Sequence, residues 1–383
     1  MACSTPAQVE TPTPTPVNST DVRESEAILS RDPELAASLP LNREWEQTTV
    51  VENLEHPWGL AWLPDGTMLI TERPGRLRIV RDGVLDPTPV AGLPEMLALG
   101  QGGLLDIAIH PRFEENSLIY FIYSQGTQQA NGVAVARGQF RGTRLENVEV
   151  IFQASPLKSG GQHFGARMVW LPDDTMLVAI GDGGNPPLEL DGELIRLQAQ
   201  NRESHLGTIV RLNEDGSIPS DNPWVDDPES DPAVWSYGHR NIQGLAIDSQ
   251  RGEVWSTEHG ARGGDELNRI AGGENYGWPF VTHSQEYTGG PISDRQTHPD
   301  MVDPDIVWTP AIAPSGLAVH RGDLFAGGLV SQSVHHIQLD ESGEVVDQRA
   351  IAIGQRVRDV REGPDGHLYV LTDAAQGRLI RLD

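Results

Sequence analysis

Short segments in which apolar and polar residues alternate run along most of the chain, which is typical of β-strands that bury one face. In the segment 59–72, Leu60, Trp62, Met68 and Ile70 hold alternate positions on the two sides of a polar turn. The same unit of strand, polar turn and strand recurs in 106–124, 168–184, 244–260, 316–329 and 359–373. A third strand usually follows, as in 76–80, 207–212, 335–339 and 378–382. Repeated units of this kind predict a protein built almost wholly from small β-sheets.

Six such units predict an all-β fold, a six-bladed β-propeller, because small sheets repeated around an axis protect their strand edges by closing a ring. The segment Gln47–Val51 is expected to add a strand to the last blade and lock the ring. The intervals between the turns near 172, 250 and 321 are long, so loop insertions should crowd one rim. Helical periodicity is scarce, and only 193–203 predicts a short helix.

The charge balance narrows the range of partners. The 383 residues include 28 Lys and Arg against 55 Asp and Glu, for a net charge of −27. Nucleic acids and anionic membrane surfaces attract clustered Lys and Arg, so neither is expected as a partner. The 41 glycines and 28 prolines are consistent with many turns between many short strands.

The beginning of the chain differs from the rest in composition. Residues 1–35 are predicted to be a disordered Thr- and Pro-rich tether, ahead of a propeller domain over 36–383. The single cysteine, Cys3, excludes an internal disulfide. Two interpretations of Cys3 stay open. It is either a residue left by cloning ahead of a disordered tail, or the lipid-bearing residue of a bacterial lipoprotein whose signal peptide has been removed. We expect an exported protein, periplasmic or on the cell surface, with a lipid anchor at Cys3 under the second interpretation.

A propeller serves enzymes and binding proteins alike, so its function has to come from polar residues at equivalent blade positions. His163 lies on a Gly-flanked loop and is a candidate general base, because imidazole titrates near neutral pH. Asp182 belongs to the same blade and would either orient His163 or make an ordinary Asx turn. Gln101 would either cap its own Gly-rich turn or complete the site.

Three arginines are candidates for binding an anionic ligand. Arg240 and its neighbour Asn241 lie in the segment GHRN, between residues that indicate partial burial. Arg356 and Arg358 alternate along one strand and would direct two guanidinium forks at one place, where such forks bind carboxylates. The alternatives are a surface salt bridge for Arg240, and salt bridges between the blades of this acid-rich chain for Arg356 and Arg358.

The Gly-rich turn at Gly260 and Ala261 would offer backbone carbonyls to a hard cation. The chain has neither a Rossmann fingerprint nor a pair of redox cysteines, so it carries no hydride acceptor of its own. A bound cofactor that is rich in carboxylates and bridged by a cation would use the base, the acid, the arginines and the carbonyls together.

From about Leu54 to Leu382 the sequence resembles the soluble glucose/sorbosone dehydrogenases that use pyrroloquinoline quinone (PQQ), and among them the aldose sugar dehydrogenase branch. Nine segments carry the resemblance in the family's order: HPWGLAWLPDG, GQGGLLDIAIHP, the H-x-x-x-R of His163 to Arg167, IGDGG, GTIVRLNEDGSIPSDNPW, GHRNIQGLA, EHGARGGDELN, GGENYGWP, and RVRDV with PDGHLYVLTD. The resemblance implies a six-bladed propeller with PQQ over the channel mouth and Ca²⁺. It also implies oxidation of aldose sugars at C1 to lactones, with electrons passed to a cytochrome or a quinone.

The resemblance assigns a role to each candidate residue. His163 would take the proton of the sugar C1 hydroxyl, Asp182 would pair with it, and Gln101 would lie beside substrate and base. Arg240 would stabilise charge that develops on the quinone oxygen, and Asn241 would form a hydrogen bond with the cofactor. Hydride transfer is eased when a base removes the hydroxyl proton and a cation stabilises the anion that forms.

Two further pairs of residues would hold the cofactor and its metal. By the same resemblance, the carbonyls of Gly260 and Ala261 would coordinate the Ca²⁺ that polarises PQQ. Arg356 and Arg358 would bind PQQ carboxylates.

The chain departs from the glucose-oxidising members of the family at several positions. They have proline where Ala261 stands and a PQQ-contacting lysine where Val330 aligns. Gln162 and His259 replace residues expected near the sugar. Broad aldose specificity is therefore expected, rather than a preference for glucose.

Two other functional classes stay open. A Ca²⁺-dependent propeller hydrolase of the lactonase type would need Asn, Asp or Glu side chains that converge on the axis, where this chain offers arginines. A non-catalytic binding propeller, such as that of hedgehog-interacting proteins, would be expected to lack the base or the arginines.

Overall fold

The computed structural model describes residues 45–383, so the predicted tether 1–35 and Cys3 lie outside the described residues. The chain forms six four-stranded antiparallel sheets that follow one another in sequence. The innermost strand of each sheet packs on the innermost strand of the next, and the sixth packs on the first. The predicted six-bladed β-propeller is therefore confirmed.

The strands of each blade run from the axis outward in chain order, after a first strand β1 (Gln47–Leu54). Blades 1 and 2 contain β2 (Pro57–Trp62), β3 (Met68–Glu72), β4 (Arg76–Arg81) and β5 (Val84–Leu85), then β6 (Leu104–Ile109), β7 (Leu118–Gly126), β8 (Asn131–Phe140) and β9 (Leu145–Gln153). Blade 3 contains β10 (Gly165–Trp170), β11 (Met176–Ile180), β14 (Thr208–Leu212) and β15 (Val234–Tyr237), with a hairpin of β12 (Glu189–Leu190) and β13 (Glu193–Leu194) inserted.

The second half of the ring follows the same plan. Blade 4 contains β16 (Ile242–Asp248), β17 (Glu253–Glu258), β18 (Asp265–Ile270) and β19 (Ile306–Trp308). Blades 5 and 6 contain β20 (Pro314–His320), β21 (Asp323–Gly328), β22 (Ser333–Leu339) and β23 (Val345–Ala352), then β24 (Val357–Glu362), β25 (Leu368–Thr372) and β26 (Gly377–Leu382). A single helical turn, α1 (Phe113–Asn116), lies between β6 and β7.

The first strand closes the ring. β1 pairs antiparallel with β26 and forms the outer edge of blade 6, as expected for the segment Gln47–Val51. Its Leu54 is fully buried in the apolar cluster between blades 6 and 1, with Leu60, Ile70 and Leu379. The first and last strands of the described residues are therefore joined in one sheet, which closes the ring.

A smaller side chain at the buried end of this closing strand should lower the stability of the fold. We expect Leu54→Ala to lower the free energy of unfolding by about 2–5 kcal/mol, because it removes buried methyl groups and leaves a cavity. The measurement is urea unfolding followed by tryptophan fluorescence. Thr49→Ala, on an exposed position of the same strand, serves as the control and should change stability by less than about 0.5 kcal/mol. Equal losses for the two variants would show that burial of Leu54 does not stabilise the ring.

Long connections lie between the strands of blades 3 and 4. The connection 181–207 contains the β12–β13 hairpin and a 3₁₀ helix, Ile195–Gln200, where a short helix was predicted over 193–203. The connection 271–305 reaches the same rim, where Trp278 contacts Asp182. The connection 213–233 joins the other ends of β14 and β15. None of the helices within 45–383 has the length and hydropathy needed to span a membrane.

Candidate active site

The predicted base lies at the axial end of blade 3. His163 lies two residues before β10, and its side chain is buried, with 3% of the residue exposed. Its Nδ1 is 2.6 Å from Oδ1 of Asp182, in the loop that follows β11. A carboxylate only accepts hydrogen bonds, so Nδ1 carries the proton and the lone pair of Nε2 is available. The pair therefore directs a proton acceptor away from Asp182.

The backbone at His163 is held in an unusual conformation. Its φ is 46°, in the left-handed region that few residues other than glycine adopt. The Oε1 atom of Gln101, from the loop before β6, accepts the backbone N–H of His163 at 2.9 Å. The side chain of Gln101 thus contacts the main chain of His163. Strained residues of this kind persist where their surroundings determine them fully, which is common at active sites.

Asp182 is fixed from several sides. Trp278 Nε1 donates to its Oδ2 at 2.8 Å, and the backbone N–H of Gly184 donates to Oδ1 at 3.1 Å. Its own backbone N–H donates to the carbonyl of Arg240 at 2.8 Å, which joins blades 3 and 4. The sequence interpretation did not assign Trp278 a role, although it ends the segment GGENYGW.

The electrostatic surroundings keep His163 neutral. Burial lowers the pKa of His163, and the positive charge of Arg240 lowers it further, whereas Asp182 raises it. Because the net direction is downward from an ordinary value near 6.5, the ring is unprotonated at neutral pH. His163 can then accept a proton at Nε2.

Arg240 is a buried cation without an acidic partner. It is 2% exposed, and its Nη1 donates to the carbonyls of His259, at 2.9 Å, and Gly260. Its Nη2 donates to Oδ1 of Asn185 at 2.7 Å, and its Nε has no hydrogen-bond partner. Within residues 45–383 no carboxylate oxygen lies within 4.0 Å of its guanidinium nitrogens. An uncompensated buried charge is costly, so the site is suited to an anionic ligand.

Asn185 connects the base and this arginine. Its Nδ2 is 3.4 Å from His163 Nε2, while its Oδ1 accepts from Arg240. The carboxamide of Asn185 therefore lies between the His163 ring and the Arg240 guanidinium, beside the position that a reacting atom would take. Asn185 directly follows the segment IGDGG, and the sequence interpretation missed it.

The remaining polar residue of GHRN supports the loop of the base. Asn241 is buried, and its Oδ1 accepts the backbone N–H of Gly165 at 3.1 Å. The same oxygen accepts from Gln243 Nε2 at 3.2 Å. Its amide nitrogen is therefore the group left for a ligand.

The turn at Gly260 and Ala261 has both of its amides fixed. Asp265 Oδ1 accepts the N–H of Gly260 at 2.8 Å, and Ser284 Oγ accepts that of Ala261 at 3.0 Å. Burial raises the pKa of Asp265 to about 6. The carbonyl of Gly260 accepts from Arg240, while that of Ala261 has no hydrogen-bond donor in the part of the chain described. Within residues 45–383, no group of three or more His, Cys, Asp or Glu is placed to hold a metal ion.

The two C-terminal arginines point at one place, as their spacing predicted, and the carboxylate found there belongs to the chain itself. Arg356 Nη2 and Arg358 Nη2 donate to Oδ2 of Asp373 at 3.0 and 3.1 Å. Asp373 follows β25 of the same blade, and the sequence interpretation did not include it. Burial lowers the pKa of Arg358 to about 10. Burial alone would raise the pKa of Asp373, but the charge of Arg358 holds it well below its usual range. Two guanidinium groups against one carboxylate leave a net positive charge.

A hydrogen-bond chain joins these blades around the axis. Arg358 Nη1 donates to Gln243 Oε1 at 3.0 Å, and Gln243 in turn donates to Asn241. His259 Nε2 lies 2.7 Å from the carbonyl of Pro314 in blade 5, and burial lowers the pKa of His259 to about 3. The candidate residues from blades 2, 3, 4 and 6 therefore belong to one region.

Arg167, the arginine of the H-x-x-x-R segment, lies in an ion-pair cluster and not beside His163. Its guanidinium is fully buried, 3.0 Å from Asp359 and 3.4 Å from Asp106. Arg361 pairs with the same two carboxylates at 3.0 and 2.7 Å. This arginine of the H-x-x-x-R segment therefore joins blades through ion pairs instead of facing a ligand.

Comparison with known proteins assigns these features to one family. The family model described as glucose/sorbosone dehydrogenase matches residues 54–381. The chain is 59% identical to an uncharacterized protein of Synechocystis sp., over 89% of this chain and 87% of that protein. It is 36% identical to an aldose sugar dehydrogenase of Escherichia coli, over 86% of this chain and 91% of that protein. The PQQ-bound aldose sugar dehydrogenase of Streptomyces coelicolor is similar with a TM-score of 0.73 and 26% identity, over 90% of this chain and 100% of that one.

Proposed function

The chain belongs to the glucose/sorbosone dehydrogenase family, and we propose that it oxidises aldose sugars at C1 to lactones, with PQQ and Ca²⁺ as cofactors. One observation carries the proposal. The oriented base His163 lies opposite Arg240, a buried cation without an acidic partner, and Asn185 bridges the two. An enzyme that removes a hydroxyl proton beside an anionic acceptor needs this combination.

The residues present suit a planar, carboxylate-rich group. Arg240 has an orphaned buried Nε, and Arg356 and Arg358 share one carboxylate. Planar guanidinium forks bind carboxylates in bidentate geometry, so Arg356 and Arg358 would hold the carboxylates of PQQ. Arg240 would lie against the quinone, with the amide nitrogen of Asn241 as a further donor.

PQQ, when bound, supplies a two-electron acceptor for the hydride that leaves C1. His163 Nε2 would accept the proton of the C1 hydroxyl, while Asp182 holds the imidazole in the correct tautomer and stabilises its positive charge. Arg240 would stabilise negative charge opposite the base. Gln101 would maintain the position of His163. Loss of one hydride and one proton converts the C1 hydroxyl of a cyclic aldose to the lactone carbonyl.

Calcium would bind at the Gly260 and Ala261 carbonyls. Hard cations take oxygen ligands, and the amides of this turn are already fixed by Asp265 and Ser284. Arg240 donates to Gly260 in this structure, so Ca²⁺ at that oxygen would replace the contact. The guanidinium would then be free to meet the cofactor.

Reconstitution tests the proposal. Protein treated with a chelator, then given PQQ and Ca²⁺, should reduce a redox dye with several aldoses and release lactone. Mg²⁺ in place of Ca²⁺ should restore much less activity, because it demands a smaller octahedral site and dehydrates reluctantly. Hydrolysis of lactones without PQQ would favour a propeller hydrolase. Sugar binding without any dye reduction would favour a binding propeller.

The electrons must leave for a partner outside the chain. We propose a cytochrome or a membrane quinone as acceptor, with the protein exported to the periplasm or cell surface. Recovery of the protein only from the cytosolic fraction of its native cells would contradict the second part.

A further inference from the structure

Lys158 is the single lysine among the 28 Lys and Arg of this chain. It is 2% exposed, in the segment that leads to His163. Its Nζ donates to the carbonyl of Gly160 at 3.3 Å and lies 3.9 Å from the ring centroid of Phe164. No carboxylate within residues 45–383 approaches it within 4.0 Å. Because Lys158 is buried, the general need for charge at a protein surface does not explain its presence.

Lys158 lies beside the residues that follow His163 and Asp182 in the sequence. Phe164, which forms its cation–π contact, directly follows His163. Gly183 directly follows Asp182, and a Cβ placed on Gly183 would lie only 3.1 Å from Cδ of Lys158. The lysine thus touches the neighbour of each member of the pair.

We propose that Lys158 is a positioning residue whose ammonium charge acts on the His163–Asp182 pair and keeps His163 unprotonated in mildly acidic solution. The inference rests on the proposed function, in which His163 must be neutral to accept a proton. Arginine at this position would keep its charge at every pH, whereas a buried lysine loses its charge near neutral pH.

The charges around the pair support this role. Burial lowers the pKa of Lys158 to about 7, against the opposing effect of Asp182. Burial, then Arg240, lowers the pKa of His163; Asp182 raises it, and Lys158 adds a smaller lowering effect. The neighbouring His259 is itself held neutral by burial, which lowers its pKa to about 3. In acidic solution the charged lysine would oppose protonation of His163, and this effect would fade as the pH rises through about 7 and the lysine loses its proton.

The test begins with protein that contains neither PQQ nor sugar. With ¹⁵N-labelled lysine, the chain should give one side-chain ammonium signal, which should titrate with a midpoint near 7. In Lys158→Met, which keeps an apolar stem of similar length, the His163 ring should titrate about one pH unit higher than in the unmodified protein. Lys158→Arg, which retains the charge, should leave the midpoint of His163 near or below its original value.

The PQQ-loaded enzyme provides the second readout. In Lys158→Met the acid limb of the pH profile of kcat/KM should shift to higher pH by about one unit, as the His163 midpoint does. The rate above pH 8 should stay unchanged within about twofold. A lysine midpoint above 10, or identical His163 titrations in the unmodified protein and Lys158→Met, would overturn the proposal. Because the NMR titrations need no turnover, they decide this inference even if no aldose is oxidised, which would overturn the proposed function alone.

Discussion

Replacing His163 with glutamine should lower kcat for aldose oxidation by about 10²–10⁴-fold, while PQQ binds with affinity within about threefold of the original. Glutamine fills a similar volume and can donate to Asp182, but it cannot accept a proton from the C1 hydroxyl at neutral pH. The ring of His163 faces its acid at 2.6 Å and takes no direct part in the arginine contacts proposed for the cofactor. The measurements are steady-state dye reduction and a fluorescence titration with PQQ.

Asp182→Asn provides a matched variant for this prediction. It keeps the size of the side chain and can still accept from Trp278, but it no longer offsets the positive charge of a protonated imidazole. We expect a loss of kcat of about 10³–10⁴-fold, because an amide that accepts from Trp278 directs its NH₂ at Nδ1 of His163 and places the ring proton on Nε2, where the lone pair is needed. An unchanged kcat in His163→Gln would contradict its role as the base, whatever the effect of Asp182→Asn.

The second large effect is expected at Arg240. Arg240→Met should weaken PQQ binding by about 30- to 1,000-fold, which is the usual consequence of removing a buried charge from a charged pair. The same variant should leave the thermal stability of the PQQ-free protein unchanged or raised. The reason is that it removes a buried cation whose Nε has no partner and which faces no carboxylate within the described chain.

Arg262→Met is the control for this prediction. Arg262 lies in the same Gly-rich turn, is exposed and pairs with Gln285 through its backbone only. Its replacement should change neither PQQ affinity nor stability appreciably. Equal PQQ affinities for Arg240→Met and Arg262→Met would show that Arg240 does not bind the cofactor. A large loss of stability in Arg240→Met would show that its contacts with carbonyls outweigh the burial of its charge.

The fold was predictable because its information is local. Period-two alternation and polar turns mark the strands, and six units that cannot bury their faces alone imply a ring. The same locality placed Asp182 beside His163, since both lie at axial ends of neighbouring strands in blade 3. Arg356 and Arg358 were expected to point at one place because they alternate along a strand, and they do.

The site residues that the sequence did not reveal lie in long loops, which have no repeating pattern of apolar and polar residues. Trp278 reaches Asp182 from an insertion in blade 4, and Asn185 reaches Arg240 from an insertion in blade 3. Asp373 was hidden for a different reason: a carboxylate at the end of a strand is common in an acid-rich chain. The uniqueness of Lys158 is visible in the sequence, but no pattern indicates that its side chain is buried near His163 and Asp182.

A base, a carboxylate-binding set of arginines and a bound quinone are proposed to act together in one reaction of this propeller. A single turnover without air or external acceptor, in which PQQ-loaded protein is mixed with an aldose, tests this proposal. The absorbance of the cofactor and the lactone formed are measured together. All of the bound PQQ should be reduced, with one lactone formed per PQQ. Unchanged absorbance with every aldose tested, although PQQ is bound, would contradict the proposal.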